Sequence, residues 1–427
     1  MKHNEKKYEY DVIPGEDDIF DDTSSHKESW TKMDKLLLIF GCLCDFSDGT
    51  ELDLPGMMTQ QVSCDIELSS WKEGLLECSV YLALAISTFI AGPLSIRFGR
   101  RRLILISLYL SALSTIICAI VANFTTLLLS RALLGFCCGL RFSTLYVWAA
   151  ELVSSKEIIA KILMITGIMF HIGGMWSSVL GYLLLERVGW RVFLLFSSLP
   201  VVIPPIFMLH FCFTEKVCPQ IEDDQNKKET VTTVPNFAAR TAKLGLFIAL
   251  VTFNGWLTTL LVPALIQLLN IKEAGPNSDC SITMTQGPEL LLLGLVTFAA
   301  IPASLLTHWI KDKIAFRKLQ GIIALIYTGN FALMLAQQSL AVAILTNFIA
   351  KFLYGITSLS YCYVLFDVDY YGTDKFVLGS SISSSMGLIG GMAGSAMIAF
   401  APISSVIITA LVLSAVQMIV ILSMTEL

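Results

Sequence analysis

Three acidic residues lie close together in an otherwise apolar stretch near the start of the chain. Asp45, Asp48 and Glu51 follow one another at intervals of three residues within the stretch 35–58. On an α-helix this spacing places them within an arc of about 120°, so that they share one face. A carboxylate at the centre of a bilayer costs roughly 2.5–3.5 kcal/mol on insertion scales, so each one requires a partner or a cavity. The pattern indicates a site that binds a proton or a positively charged group.

Gly49, which lies between two of these acids, would allow a substrate or another helix to approach closely. The alternative is that the helix ends early and that the acids lie in a hydrated loop. That alternative leaves only about ten apolar residues ahead of Asp45, too few to cross a membrane. We therefore expect the acids to line a cavity, and we expect neutralisation of Asp48 or Glu51 to abolish function without unfolding the protein.

Two arginines supply the opposite charge. Arg131 and Arg141 lie in the apolar stretch 126–149. They are expected to pair either with the three acids or with an anionic group of a substrate; the other interpretation is a permanent structural salt bridge. Pairing of some kind is expected, because an uncompensated buried charge costs several kcal/mol.

A histidine lies midway along the apolar stretch 160–184. His171 stands beside Gly173 and Gly174. An imidazole changes its charge near physiological pH, which suits a role in proton coupling. The alternative role is that of a hydrogen-bonded packing residue between helices.

The composition places these residues in a lipid bilayer. Of 427 residues, 55% are hydrophobic and only 15% are charged, against about 25% charged residues in soluble proteins. The mean hydropathy is +0.70. The formal net charge of −5 argues against nucleic acid as a partner.

The 11 cysteines form no CxxC pair, and no histidine lies at metal-ligand spacing from them. We therefore interpret them as small buried hydrophobic residues, and we expect no metal and no cofactor.

Twelve apolar stretches have the length of about 20 residues that a helix needs to cross some 30 Å of hydrocarbon. They are 35–58, 73–95, 103–122, 126–149, 160–184, 190–213, 244–270, 288–310, 319–338, 340–364, 376–399 and 402–424. The sequence therefore predicts an all-α membrane protein with twelve transmembrane helices. We expect a monomer embedded in the bilayer.

The distribution of basic residues predicts the orientation. With a cytoplasmic N-terminus, 22 of the 29 Lys and Arg fall in inner segments, four in outer loops and three within spans, as the positive-inside rule requires. Both termini are therefore expected in the cytoplasm. The charged, acidic start of the chain predicts no cleavable signal peptide.

A weak internal repeat divides the chain into two halves. The segment Arg131–Gly135 is echoed by Lys351–Gly355, and Arg97–Leu103 is echoed by Lys313–Leu319. A polar stretch separates six spans from six. The predicted organisation is a cytoplasmic acidic N-terminal segment (1–34), a six-helix half (35–213), a cytoplasmic linker (214–242) and a second six-helix half (243–427).

Four segments of the first half carry a more specific resemblance. Residues 44–51, 92–101, 131–135 and 190–193 read CDFSDGTE, GPLSIRFGRR, RALLG and WRVF. Together they resemble the synaptic vesicle glycoprotein 2 family and its shorter relatives within the major facilitator superfamily. The resemblance implies the major facilitator fold, with two six-helix halves around a central cavity, alternating access, and a small organic substrate.

The resemblance also implies positions for further residues. Those expected at the cavity in the second half are Asn254, Trp256, Lys351, Tyr361 and Tyr363. Those expected to latch the inner helix ends as a gate are Arg97, Arg100, Arg101, Glu151 and Asp312.

The sequence departs from the family pattern at the gate. Ile96 stands where the family carries an acid, Ala315 and Phe316 replace a motif Gly and Arg in the second half, and a family signature is eroded at 214–218. These departures put the gating cycle in doubt and weaken the expected closure of the inner side.

The sequence is consistent with three functions, and none of them is enzymatic. The first is a secondary active transporter of a small organic solute, which is expected to be cationic because of the acidic face and is driven by a proton gradient or another gradient. The second is a receptor or trafficking partner that keeps a carrier fold without transport. The third is a carrier of the organic cation/anion family, whose members have a larger first outer loop. The expected location is the plasma membrane or a vesicle membrane.

Overall fold

The computed structural model describes most of the chain. The described residues are 30–66, 68–120, 123–153, 155–210, 234–274, 287–336, 340–372 and 375–424. Most of the predicted N-terminal segment and of the predicted linker, together with the motif at 214–218, lies outside them. The limits of these two segments therefore stay a prediction.

Twelve long helices make up nearly all of the described part. In the first half they are α1 Lys32–Ile66, α2 Ser70–Phe98, α3 Arg100–Ile120, α4 Phe124–Leu152, α5 Lys156–Leu180 and α6 Trp190–His210. In the second half they are α7 Phe237–Ala274, α8 in two segments, Gly287–Phe298 and Ala300–Ile310, α9 Phe316–Ala336, α10 Leu340–Leu365, α11 Phe376–Phe400 and α12 Ile403–Ser423. A π-helical turn, Gly181–Leu185, extends α5, and a one-turn helix, Val368–Tyr371, follows α10.

Each predicted span coincides with one of these helices. Eleven of them, α2 to α12, contain a membrane-length window that is apolar enough to cross a bilayer, within the described residues. The twelfth, α1, is 35 residues long and so extends about 52 Å, but its acids lower its apolar character. It ends at Ile66 rather than near 58, because hydropathy marks the edge of the membrane and a helix can continue beyond it.

The two halves repeat one pattern of packing. In the first half α1 packs on α5, α2 on α4, and α3 on α6. The second half repeats these pairs as α7 on α11, α8 on α10, and α9 on α12. The halves meet along α2 with α11 and along α5 with α8. The predicted fold of twelve helices in two six-helix halves is confirmed.

Glycines of the internal repeat explain part of this pattern. A Cβ at Gly135 of α4 would collide with the carbonyl of Val80 on α2. At Gly355 of α10 it would come within 2.8 Å of the Ala303 Cβ on α8. The repeated glycine thus serves the same close helix contact in each half. Gly49 has a related role, since a Cβ there would meet the backbone of α5.

Charge distinguishes the two ends of the bundle. We call the end at which α1 begins and α2 ends the basic end, because Arg97, Arg100, Lys156 and Lys311 all lie there. The flanks carry large exposed apolar side chains, as lipid contact requires.

The cysteines are not all alike. Seven described cysteines are free, and most of them are buried, in keeping with the interpretation as small hydrophobic residues. Cys64 is disulfide-bonded, which corrects that interpretation. It lies near the last turn of α1, at the end opposite the basic end and beyond the apolar stretch from which the interpretation was drawn.

Candidate functional site

Asp48 of α1 pairs with Arg141 of α4 in the interior of the first half. The Arg141 Nε donates to Asp48 Oδ2 at 3.2 Å, and Nη2 donates to Asp48 Oδ1. The guanidinium and carboxylate planes thus meet in a two-point contact, the stronger geometry for this pair. The arginine is 1% exposed and the aspartate 5%. Since an unpaired charge at this depth is costly, the pair contributes to the packing of α1 against α4.

Glu51 forms a looser pair with Arg131, one turn further along α1. The nearest approach is 3.9 Å between Arg131 Nη1 and Glu51 Oε2. Thr115 of α3 donates to Glu51 Oε1 at 3.1 Å, and Arg131 Nη2 approaches the sulfur of Met58 at 3.2 Å. Glu51 and Arg131 do not line the central cavity described below.

Asp45 is held differently from the other two acids. Tyr146 of α4 donates its hydroxyl to Asp45 Oδ2, and the same hydroxyl lies 3.0 Å from Thr166 Oγ1 of α5. Within the described part of the chain no lysine, arginine or histidine nitrogen forms an ion pair with Asp45. Hydroxyl groups therefore supply its hydrogen bonds, and Arg141, which is paired with Asp48, acts on it only at longer range.

A fourth acid within the predicted first span, Asp53, was missed from the sequence. Its carboxylate lies against Gly174 of α5, where a Cβ would collide with Oδ2. It interacts electrostatically with Lys351 of α10, in the other half. On a helix Asp53 lies about 80° round from Asp45, on the side away from Glu51. This angular position around the helix could have been read from the sequence. It indicates that Asp53 faces the second half and not the arginines of α4.

Lys351 occupies the place in α10 that Arg131 occupies in α4. It is 6% exposed, donates to Thr259 Oγ1 of α7 at 2.7 Å, and lies 5.4 Å from the centre of the Tyr354 ring. The internal repeat thus places one basic residue in each half, and α1 supplies an acid near each of them.

A central cavity of about 150 Å³ lies between the halves. Asp45 and Asp48 are the acids on its wall. Its aromatic and imidazole wall consists of Phe142, Tyr146, Phe170, His171, Trp256, Tyr354 and Tyr361. The cavity therefore combines one carboxylate that has no ion pair with a largely aromatic surface.

The structure places five of the eleven residues predicted for substrate or proton binding on the cavity wall: Asp45, Asp48, His171, Trp256 and Tyr361. His171 lines it and packs edge-on against Phe170, with ring centroids 5.6 Å apart. Trp256 lines it and packs against Tyr81 at 4.7 Å. Tyr361 also lies on the wall.

Asn254 and Tyr363 lie elsewhere. Asn254 is fully buried and does not line the cavity, and within the described residues its amide atoms have no hydrogen-bond partner. It stands two residues before Trp256, about 200° round the helix, so the two side chains point in opposite directions. Tyr363 lines a separate pocket of about 580 Å³ at the basic end, which we call the basic-end pocket. Its hydroxyl lies 3.1 Å from His308 Nδ1.

A family model described as Major Facilitator Superfamily matches residues 57–402. The chain belongs to this superfamily. It is a multi-pass membrane protein with the architecture of a transporter, and the match covers both halves of the bundle.

Curated relatives within the superfamily share low sequence identity with this chain. Synaptic vesicle 2-related protein from Pongo abelii is 24% identical over 398 residues, covering 84% of this chain and 71% of the relative. The protein of the same name from Xenopus laevis is 24% identical over 402 residues, with the same shares. Synaptic vesicle glycoprotein 2B from Homo sapiens is 25% identical over 198 residues, covering 43% of this chain and 28% of the relative.

The gate residues suggested by the superfamily motifs are partly brought together. Arg100 of α3 pairs with Glu151 of α4, at the basic end. Arg97 lies 5.7 Å from the ring of its neighbour Phe98. Arg101 Nε is buried without a hydrogen-bond partner in the described part of the chain, and Ile96 is 72% exposed.

Ion pairs between the halves close the basic end, and the sequence did not predict them. Lys156 of α5 pairs with Asp369 and, at 3.2 Å, with Asp367. Lys311 pairs with Glu157 of α5 at 2.8 Å, and with Asp312 beside it at 3.3 Å. Asp312 thus lies next to a tie between the halves rather than opposite Arg97 or Arg100. The ends of these side chains are solvated, so each pair contributes at most about 1 kcal/mol.

The opposite end has an ion pair within the first half. Asp65, at the end of α1, accepts a hydrogen bond from Arg191 Nη1 of α6 at 2.6 Å. This hydrogen bond holds the pKa of the Asp65 carboxyl below its usual range. Both side chains are substantially exposed, so this pair offers a solvated comparison for the buried pairs of α1.

Proposed function

We propose that this protein carries a small organic cation across its membrane by alternating access, with Asp45 binding the positive charge. One observation carries the proposal: the Asp45 carboxylate faces the cavity between the halves, and among the described residues it forms no close ion pair, since Arg141, with which it interacts electrostatically, is paired with Asp48. The supporting charge pairs are then Asp48 with Arg141, at the wall, and Glu51 with Arg131, behind it.

The buried charges favour a cation over an anion. The charged side chains inside the described bundle include Asp45, Asp48, Glu51, Asp53, Arg131, Arg141 and Lys351. Glu77 of α2 adds a further, partly buried carboxylate near Tyr81. With His171 neutral, the carboxylates outnumber the cations, so a cation or a proton improves the balance of charge. An anion would be repelled.

The lining of the cavity supports an organic cation. Aromatic rings attract cations through their faces, by about 0.5–1 kcal/mol when exposed and more when water is excluded. Phe142, Phe170, Trp256 and Tyr354 provide such rings around the carboxylate. The volume of about 150 Å³ is smaller than the roughly 300–1,000 Å³ of drug-sized sites, which favours a small solute.

Proton coupling follows from the same carboxylate. Because Asp45 can hold either a proton or the cation, we infer that the two are exchanged across the membrane. His171, on the same wall, is the second candidate to receive the proton. We further propose that Arg100, Glu151, Lys156 and Lys311 govern closure at the basic end.

The location and orientation are part of this proposal. The 22-to-4 distribution of basic residues supports cytoplasmic termini. Relatives whose names refer to synaptic vesicles support a vesicle membrane. A monomer is sufficient, because both halves of the cavity belong to one chain.

The test is uptake of labelled tetramethylammonium and other small amines into proteoliposomes that have been loaded with protons. The wild type should accumulate at least one of them. Asp45→Asn should reduce uptake at least about tenfold, since a charged hydrogen-bond interaction contributes roughly 1.5–3 kcal/mol.

The matched control is Asp65→Asn, which removes an exposed acid from the other end of the same helix and should leave uptake unchanged. The proposal fails if small anions accumulate instead, or if Asp45→Asn transports cations like the wild type.

A further inference from the structure

A layer of three aromatic rings separates the central cavity from the basic-end pocket. Phe142 and Tyr146 of α4 line the cavity, whereas Phe366, just past the end of α10, lines the pocket. The ring centroids of Tyr146 lie 5.1 Å from Phe366 and 5.4 Å from Phe142. We call Phe142, Tyr146 and Phe366 the aromatic plug. It joins the two halves and lies between the cavity and the pocket, beside Leu163 of α5, which lines both spaces.

One ring of the plug is anchored to the central carboxylate. The Tyr146 hydroxyl has a single proton, which it donates to Asp45. Thr166 then donates to the phenolic oxygen at 3.0 Å. A hydrogen bond to an ionised acceptor is roughly twice as strong as one between neutral groups. The position of Tyr146 therefore depends on whether Asp45 carries its negative charge.

The other side of the plug is continuous with an ion pair between the halves. Phe366 N–H donates to the Cys362 carbonyl at 3.0 Å, which completes the last turn of α10. The next residue, Asp367, caps the one-turn helix Val368–Tyr371 and pairs with Lys156 at 3.2 Å. A displacement of Phe366 would therefore also move Asp367 and its ion pair with Lys156, which helps to close the basic end.

We propose that Tyr146 is the positioning residue that couples the charge on Asp45 to the aromatic plug. While the carboxylate is bare, it holds Tyr146 against Phe366 and the plug stays shut. When a cation or a proton neutralises the carboxylate, the hydrogen bond weakens, Tyr146 turns away, and the path to the basic end opens. The inference rests on the proposed function only in taking Asp45 as the group that receives the charge.

Other ionisable groups surround Asp45. They are Cys42 and Asp48 on α1, Arg141 and Tyr146 on α4, His171 on α5 and Cys362 on α10. Of these, Tyr146 alone belongs to the plug, and it is the one for which a hydrogen bond with Asp45 is formed.

A native thiol reports whether the plug is open. Cys362 is free and lines the central cavity. In oriented proteoliposomes, thiol reagents that cannot cross the membrane are added on the side of the basic end, and labelling of Cys362 is followed by mass spectrometry. A cationic and an anionic reagent are used in parallel, so that attraction to Asp45 is not mistaken for opening.

Tyr146→Phe keeps the ring in the plug and removes only the hydroxyl. It should speed labelling of Cys362 about tenfold, the change expected for losing one hydrogen bond to a charged group. Asp45→Asn should do the same. The double variant should be no faster than either single variant, because both changes remove the same interaction.

Two further variants complete the experiment. Tyr327→Phe removes another buried hydroxyl, which donates to the Ala350 carbonyl at 2.7 Å within the second half, and should leave labelling unchanged. Phe366→Ala should speed labelling in every background, because it removes the plug itself.

The inference is overturned if Tyr146→Phe labels like the wild type, if the single effects multiply in the double variant, or if Phe366→Ala leaves Cys362 protected. Labelling needs no substrate. A wild type that transports no cation would contradict the proposed function and leave this result standing.

Discussion

At the scale of single residues, the acids of α1 divide into distinct roles. Asp48 and Glu51 face arginines of α4 inside the first half, whereas Asp45 faces the cavity and Asp53 faces the second half. Asp48 also touches the cavity, but its charge is already matched. The sequence predicted one shared acidic face and left open whether its acids bind a substrate or form structural salt bridges. We propose a structural role for the paired acids Asp48 and Glu51.

The Asp48 pair can be tested through stability. Asp48→Asn leaves Arg141 buried without its counter-ion, which should lower the free energy of unfolding by about 3–5 kcal/mol. Asp48→Asn combined with Arg141→Gln should recover part of that loss, because the uncompensated charge is gone. Thermal unfolding of purified protein in detergent measures both.

Asp65→Asn serves as the exposed control and should change stability by no more than about 1 kcal/mol. If Asp48→Asn proves as stable as this control, the buried pair has no structural role. The result would then favour the expectation from the sequence, that this change abolishes function without unfolding the protein.

The sequence could identify which residues are charged inside the membrane, but not what they face. Arg131, Arg141 and Lys351 stand out because charge is rare in apolar stretches. Tyr146 does not stand out, since a tyrosine in an apolar helix is ordinary; its role arises from the rotation of α4 relative to α1. The rotation of α7 similarly turned Asn254 away from the cavity.

At the scale of helices, close contacts through small residues set the geometry of each half. Gly135 brings α4 onto the backbone of α2, and Gly355 brings α10 onto α8. The existence of the helices followed from length and hydropathy. Which helices pack together could be predicted only in part, from the internal repeat that contains these two glycines. An apolar helix carries little information on which neighbour it contacts.

Alanine substitution of these glycines should have graded effects. Gly135→Ala places a Cβ against the Val80 backbone, which cannot move aside, and should destabilise by about 1–3 kcal/mol. Gly355→Ala would meet the Ala303 Cβ at 2.8 Å and the Ala300 backbone at 3.0 Å, and because this overlap is smaller it should cost less. Thermal unfolding in detergent gives the order.

Gly329→Ala is the matched control, since nothing lies within 4 Å of a Cβ there. It should stabilise α9 by up to about 1 kcal/mol through helix propensity. Equal effects at all three positions would contradict the assignment of Gly135 and Gly355 to helix contacts.

At the scale of the whole molecule, two equivalent halves enclose one cavity, and ion pairs and an aromatic plug close it toward the basic end. This arrangement depends on contacts between residues far apart in sequence. The sequence predicted the halves from motif and repeat, but the tie between Lys311 and Glu157 could not be predicted, because it requires the relative position of the halves.

The orientation in the membrane can be tested directly. In sealed vesicles of known sidedness, epitope tags on both termini should lie on the cytoplasmic side, because the basic end carries most of the Lys and Arg. Protease digestion before and after permeabilisation measures this. Protection of either tag from a protease on the cytoplasmic side would contradict the proposed topology.

The disulfide at Cys64 bears on the same orientation through redox chemistry rather than charge. Cys64 lies at the end opposite the basic end. Disulfides persist in the secretory lumen and outside the cell, whereas glutathione and thioredoxin keep cytosolic thiols reduced. An oxidised Cys64 therefore supports the proposed placement of its end of the bundle in the lumen or outside the cell, independently of the basic residues. Whether Cys64 stays oxidised would then depend on the reduction potential of the compartment that this end of the bundle faces.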